Sequence, residues 1–450
     1  MDASAHLARC LNELKLSIAA LGGDAESPKL PGVAALIIQS MTGEWRSFHT
    51  PDHIFEVGAG GSPTEVIAAL FHDLVYVQVD SGINLNLSRY LTPFLQEESG
   101  VLSIQVQEGL QDSDFEMCLQ LFGFSHGQKL SPFAGQNEFL SALVAVKALK
   151  GILSLAQLVK IAACIEATIP FRGPVAPDKT CSQQLAERLH AISDHYGLHF
   201  STAEIDQVVM EAVSVANRDV GNFASEDPAD FLSNTWNLIP ETNHELAQIN
   251  VFTVKGYRNS LQKMEGFLSF LQSPTVFRQY LTEPVDAEYA KMQQNCARNL
   301  EIARIYLRAK LISIGLLEAM SMRLGRNTSL AALMDKLPNE GDDNMQLETH
   351  LPQVAVPYQP QTPQEVLVMD LIHRGRSAET HYDVKHSPVA DYMIKQMGFQ
   401  PMMALLEPCR EFFKDPSRDQ ALLDACDPVV LKGIYAALHV LYTLRAESFA

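Results

Sequence analysis

The feature that most restricts this chain is the spacing of its apolar residues, which recur at three and four positions over most of the length. Residues 289–317 show it best. Met292, Cys296, Leu300, Ala303, Leu307, Leu311 and Ile314 fall on one stripe, the pattern of a helix that buries one face. Helix-start signals recur with it. Ser62-Pro63-Thr64-Glu65 offers a capping serine, a proline at the first helical position and a glutamate three residues after the cap. Ser154 with Gln157, Ser201 with Glu204, and Thr362-Pro363-Gln364-Glu365 repeat that logic. Alternating patterns are short and rare, and Leu102-Ser103-Ile104-Gln105-Val106 is the best of them. The expected fold class is all-α.

Charge narrows the function. Against 34 lysines and arginines stand 53 acidic residues, a net charge of -19. Such a chain repels polyphosphate backbones, which argues against non-specific nucleic-acid binding. A phosphorylated substrate would need metal ions or a few placed arginines. The seven cysteines (10, 118, 164, 181, 296, 409 and 426) are scattered and form no CxxC, as expected of reduced thiols in a cytoplasmic protein. No secretory signal pattern opens the sequence and no run of eighteen apolar residues interrupts it, so no membrane partner is expected.

The pattern divides the chain into an N-terminal helix (1–28), a helical core (29–230), a helical extension (231–337), a linker (338–361) and a C-terminal helical region (362–450). The linker carries four prolines and the acidic run Glu340-Gly341-Asp342-Asp343. Residues 77–133, rich in Gln, Ser, Gly and Leu, read as an insertion, either a subdomain or a lid.

Chemistry concentrates in Phe48-His49-Thr50-Pro51-Asp52-His53-Ile54 and in Phe71-His72-Asp73-Leu74. Two histidines four apart suggest a helical zinc pair, but no glutamate follows His49 and Pro51 would break a helix holding both. With Thr50 as cap and Pro51 as the first helical residue, His53 enters a first helical turn and His49 precedes it. His72 and Asp73 are placed in the C-terminal half of the helix begun by Pro63. A metal ion between packed helices would let both reach one point. Imidazole and carboxylate together suit several divalent ions.

The run His-Thr-x-x-His-Ile, followed about twenty residues later by Ala-Ala-Leu-Phe-His-Asp-x-x-Tyr, resembles the HD-domain superfamily of metal-dependent phosphohydrolases. It is most similar to small bacterial HD hydrolases. Their later Asn-Glu-x-x-Ser-Ala, Ala-Thr and closing aspartate elements resemble Asn137-Glu138-Phe139-Leu140-Ser141-Ala142, Ala167-Thr168 and Asn217-Arg218-Asp219. The resemblance covers roughly residues 35–225 and departs at Asn217, where relatives often carry an aspartate, and at Pro170-Phe171-Arg172, where they tend to carry a histidine. It implies an HD helical core elaborated by further C-terminal helices, with His53, His72, Asp73 and Asp219 holding one or two divalent ions per chain. Mn, Fe, Co, Ni, Zn and Mg all remain open. It further implies attack of a metal-bound hydroxide on the phosphorus of an ester or anhydride, most plausibly a nucleotide. Asp73 would bridge a second ion, and His49 would serve as proton donor or as a further ligand.

Four other residues have two readings each. Glu138 either supports a ligand or a coordinated water from behind, or is a solvated helix residue. Glu166 either faces the site or closes an internal ion pair. Arg172 and Arg218 either clamp phosphate oxygens or pair with carboxylates. His373, Arg374, Arg376, His381, Asp383 and His386 form a second polar cluster that reads as exposed loop. Trp45 and Trp236 read as core, and the Met292–Leu317 stripe as core or a homo-oligomer face. A non-catalytic nucleotide-binding or signalling module is the alternative to the hydrolase, and di-iron oxidation is a third possibility.

Overall fold

A computed structural model of the chain describes residues 3–106, 112–247, 253–322, 346–380 and 382–447. The capping signals are where helices begin. Ser62, Ser154 and Ser201 each accept a hydrogen bond from the backbone N–H three residues on, and Glu65, Gln157 and Glu204 reach back to close the box. Thr362 likewise accepts from the Glu365 N–H, but the Glu365 carboxylate accepts from the Gln361 N–H and closes no box.

The described residues form two units. The first comprises residues 1–224 with 272–296, and the second residues 225–271 with 297–450. In the first run α1 (Ala3–Ala20), α2 (Leu30–Met41), α3 (Pro51–Gly58), α4 (Pro63–Phe71) and α5 (Leu85–Leu91). An antiparallel hairpin follows, β1 (Leu95–Glu98) and β2 (Val101–Ile104), with Leu95 opposite Ile104. Then come α6 (Ser113–Phe122), α7 (Gln136–Leu149), α8 (Leu155–Ala167), α9 (Cys181–Tyr196) and α10 (Thr202–Asp219). The all-α class holds, with this hairpin the only sheet among the described residues.

Helix α8 lies at the centre, against α4, α7, α9 and α10. Ile161, Ala162, Ala163, Cys164 and Ile165 are all buried, as a helix apolar on every side must be. The small Ala162 and Ala163 let its neighbours approach closely. Helix α1 is no separate N-terminal segment: Cys10, Leu14 and Ile18 belong to the same core. The region from 77 to 133 is not a detachable lid either. Phe115, Met117, Cys118, Leu119, Leu121 and Phe122 of α6 join that core, which makes the segment structural.

The division also departs from the sequence boundaries at residues 272–296. They include the short helix Ser273–Val276 and the start of the long helix Asp286–Ser321, and they belong to the first unit rather than to a helical extension. Cys296, Leu300, Ala303, Leu307, Leu311 and Ile314 on that long helix are at most 3% exposed, so the stripe is core. Residues 323–345, with the first part of the expected linker, lie outside the described residues. The remainder, 346–361, holds one short turn of helix (Leu347–His350).

The second unit is built around a charge. Asp383 accepts hydrogen bonds from Trp236 Nε1 and Tyr257 Oη, each at 2.7 Å. It pairs with Lys310 at 2.7 Å and Arg376 at 3.3 Å. Arg376 and Asp383 were expected on an exposed loop but are 2% and 8% exposed. Burial would raise the Asp383 carboxyl, and Lys310 and Arg376 hold it below the usual range instead. The sequence pattern hid this because the partners come from residues up to 147 positions away. Of the same cluster, His373 stays exposed at its side chain, His386 pairs with Glu348, and His381 lies outside the described residues.

Candidate metal centre

Three corners of the first unit bring the site together. Pro51 starts α3 with φ already suited to a helix, and Thr50 precedes it in extended conformation. His53 therefore sits in the first turn and His49 just outside, as the spacing predicts. Asp219 is the last residue of α10. His72 and Asp73 depart from expectation, because α4 ends at Phe71 and they form the turn after it.

The turn is fixed by Arg46, which sequence reasoning passed over, and by Asn137 and Ser141, which it quoted for the resemblance without giving them a role. Arg46, buried three residues before His49, donates to the backbone carbonyls of Asp73 at 2.7 Å and Leu74 at 3.3 Å. The same guanidinium pairs with Asp80 at 2.7 Å. On the other side, Ser141 Oγ accepts from the Val75 N–H at 3.0 Å. Asn137 Oδ1 accepts from the Val77 N–H at 3.2 Å, and Asn137 Nδ2 donates to Gln78 at 2.9 Å. Asn137 and Ser141 are one turn apart on α7, so a single helix face clamps the chain that leaves Asp73. Two polar residues four apart on an otherwise buried helix were the available signal.

One ligand atom from each of His53, His72, Asp73 and Asp219 lies within 4.8 Å of the others. His72 Nδ1 is 2.8 Å from the Ala69 carbonyl. A carbonyl only accepts, so Nδ1 carries the hydrogen and the neutral ring turns a lone pair at Nε2 into the cluster. There Nε2 meets Asp73 Oδ2 at 2.9 Å and Asp219 Oδ1 at 3.2 Å. His53 Nε2 meets Asp219 Oδ1 at 3.1 Å and Asp73 Oδ2 at 3.3 Å. Asp73 Oδ2 is buried, yet none of its contacts has the geometry of a hydrogen bond. Acceptors facing acceptors are held together only by protons or a metal ion.

The proton affinities follow from this crowding. Burial would lower His53, but its hydrogen bond to Asp219 and the negative charges of Asp219 and Asp73 overcome it and lift the ring to about 9. Burial likewise opposes protonation of His72, and the charges of Asp73 and Asp219 raise it well above the ordinary value. Burial would raise Asp73 and Asp219, and His72 foremost holds both down, Asp219 to about 2. Two imidazoles and two carboxylates also match the donor set of a divalent ion with positions left open. The residues present fit such an ion.

His49 adjoins this set without joining it. Its Nε2 is 3.9 Å from Asp73 Oδ2, and its ring packs edge-on against His53 and Tyr76, with centroids 5.6 and 4.6 Å apart. Glu138 is half-buried on the first turn of α7, with Oε2 enclosed and unpartnered, which removes the solvated reading. Burial raises its carboxyl to about 7, helped by the charges of Asp73 and Asp219.

The other three residues serve the scaffold. Glu166 is 1% exposed and closes an ion pair with Arg172 at 2.7 Å and Arg188 at 3.3 Å. A carboxylate so buried requires cations, and two arginines supply them. Arg218 donates to the Val57 carbonyl at 2.6 Å and to Ser214 at 2.8 Å, and lies 3.6 Å from Glu65. It braces the corner between α3 and α4 and lies beside a carboxylate, the second of the two readings its sequence left open. Arg278, unnoticed in the sequence, donates to the carbonyls of Ala167 and Ile169 beyond α8. Asn217 grips its peptide unit at 2.8 and 2.9 Å, which explains an asparagine two residues before Asp219.

No described helix is long and apolar enough to cross a membrane. Compared with family models, curated proteins and solved structures, the chain matches none.

Proposed function

We propose that the first unit is an HD-type metal-dependent phosphohydrolase acting on a phosphate ester or anhydride, with a nucleotide as the substrate class. The observation that carries this reading is the convergence of His53, His72, Asp73 and Asp219, with Asp73 Oδ2 buried and lacking a hydrogen bond. His53, His72, Asp73 and Asp219 would hold a divalent ion, which would make hydroxide available near neutral pH for attack on phosphorus. The chain's own residues do the rest. Ala69 fixes the His72 tautomer, Arg46 and Asn137 hold the turn bearing Asp73, and the low side-chain exposure of His53, Asp73 and Asp219 limits competing water. His49 stands beside the ligands and is the candidate to give a proton to the leaving oxygen.

The test pairs elemental analysis of protein prepared without chelator with a panel of nitrophenyl phosphates and nucleotides, assayed with manganese, cobalt, nickel, magnesium and zinc. One or two ions per chain, lost together with turnover on Asp73→Ala, supports the reading. Protein that takes up no metal ends it. Bound metal without turnover on any phosphate would favour the nucleotide-binding module.

A further inference from the structure

In the first unit three guanidiniums gather around one buried carboxylate. Glu166 pairs with Arg172 at 2.7 Å and with Arg188 at 3.3 Å, and among the described residues neither arginine has another ion pair. Arg278 donates to the carbonyls of Ala167 and Ile169, just past Glu166, and pairs with no carboxylate among the described residues. All three are held in place. Phe171 has φ +54°, a left-handed conformation that aromatic residues rarely adopt, and its ring packs edge-on against Phe223 at 5.6 Å. That fixes the chain where Arg172 begins. Arg188 donates to the Leu121 carbonyl at 3.2 Å, and its guanidinium fills the place that a Cβ on Gly123 would take. Burial pushes Arg188 and Arg278 down, Arg278 to about 10, and the like charge of Arg172 adds to it. Glu166 cancels one positive charge of the three, and two are left over.

The cluster adjoins the candidate centre. Arg278 feels the charge of Asp219, and Arg172 that of Glu138, which in turn feels Asp73 and Asp219. Asn217, two residues before Asp219 on α10, holds the Arg278 peptide unit at 2.8 and 2.9 Å. Asp73 and Asp219 do not supply the missing counter-charge, because His53 and His72 already engage them. Two uncancelled positive charges in a partly buried place repel each other unless an anion joins them. We propose that Arg172, Arg188 and Arg278 form an anion subsite that takes a second phosphoryl group, so that the substrate class is a chain of two or more phosphates rather than a monoester. This rests on the phosphohydrolase reading and narrows its substrate. Guanidinium forks match the paired oxygens of a phosphoryl group. Arg188 uses only Nη1 in its hydrogen bonds among the described residues, which leaves Nη2 and Nε to donate to those oxygens. Its side chain, like that of Arg172, is 22% exposed, so an anion can reach both.

Cys181 is a local reporter, because it is the only one of the seven cysteines that is not buried and it lies in the field of all three arginines. In chelator-treated protein at constant ionic strength, inorganic pyrophosphate should slow alkylation of Cys181 by iodoacetamide in a saturable way. Arg188→Gln should weaken the apparent affinity by about 10- to 100-fold, the scale of a lost charged hydrogen bond. Arg172 still pairs with Glu166 in that variant. With metal-loaded protein, the same substitution should lower the ratio of kcat/KM for adenosine 5′-diphosphate over adenosine 5′-monophosphate by a similar factor. Pyrophosphate that leaves Cys181 unprotected, protection that survives Arg188→Gln, protection matched by succinate, or a ratio that does not move overturns the subsite. The hydrolase reading is then decided separately, by metal uptake and the phosphate panel. Should Arg188→Gln fail to fold, the comparison of pyrophosphate with succinate on the wild-type protein decides alone. If the protein takes up no metal and hydrolyses no phosphate, yet pyrophosphate protects Cys181 through Arg188, the hydrolase reading falls and the anion subsite stands.

Discussion

Protein stripped of metal should lose stability as the pH rises from about 6 to about 9.5, and bound metal should abolish that loss. In the metal-free site, protons on His53 and His72 stand between Asp73 and Asp219. His53 titrates near 9 in the fold against 6.5 in the open chain, so the folded state binds the proton more tightly. Its stabilisation is complete below the unfolded value and vanishes as pH climbs through 9. The difference corresponds to about 3 kcal/mol at 1.36 kcal/mol per pKa unit. Asp219, held near 2, shows the same attraction from the acid side. Its contribution is present above the ordinary carboxylate value and is lost as pH falls through 2, so the two figures describe one interaction and are not summed. Urea denaturation of chelator-treated protein across this range gives the first readout. Calorimetry of metal binding in two buffers of different ionisation enthalpy gives the second, because a divalent ion must displace about two protons, one from each imidazole. Stability that is flat from about pH 6 to about pH 9.5, or metal binding that releases no protons, would refute the assignment of these four groups to one ion site.

Further outcomes follow from the same geometry. His49→Ala should keep its metal while slowing turnover of substrates with poor leaving groups by roughly 10²–10⁴-fold, with a smaller loss on nitrophenyl phosphate; elemental analysis beside kinetics separates a donor from a ligand. Arg46→Ala should weaken metal affinity by about 10- to 100-fold, since it frees the turn bearing Asp73 without removing a ligand, and competition with a chelator dye measures it. Asp383→Ala leaves Lys310 and Arg376 buried without their counter-charge, and should cost about 3–5 kcal/mol by denaturant melts.

Sequence reasoning reached what depends on neighbours in the chain. Thr50-Pro51 predicts where α3 starts because a proline's φ and an extended preceding residue are local properties. The three serine capping boxes are legible for the same reason. It misplaced His72 and Asp73 within α4, since the agents that hold the turn after α4, Arg46 and Ser141, are 27 and 66 residues from the backbone groups they engage. Glu166 and Arg172 left two readings open because burial decides between them. Arg188, the second cation on Glu166, lies 22 residues on. Arg278 carried no signal, being one arginine in a chain with 34 basic residues. The HD resemblance singled out the four ligand candidates that the fold brings together, and whether they bind metal rests with the experiments above.

The separation between those residues has a kinetic meaning. His53 and His72 meet Asp219 at sequence separations of 166 and 147, and the turn with Asp73 is clasped by a helix that begins some sixty residues later. Closing loops of that length precedes any reward from the contacts they permit. An early fragment of the nascent chain holds only three of the four candidate ligands, and the set is complete only once α10 has docked. Metal uptake during refolding should then lag the recovery of helical signal. A ribosome-stalled chain ending before residue 219 should take up none.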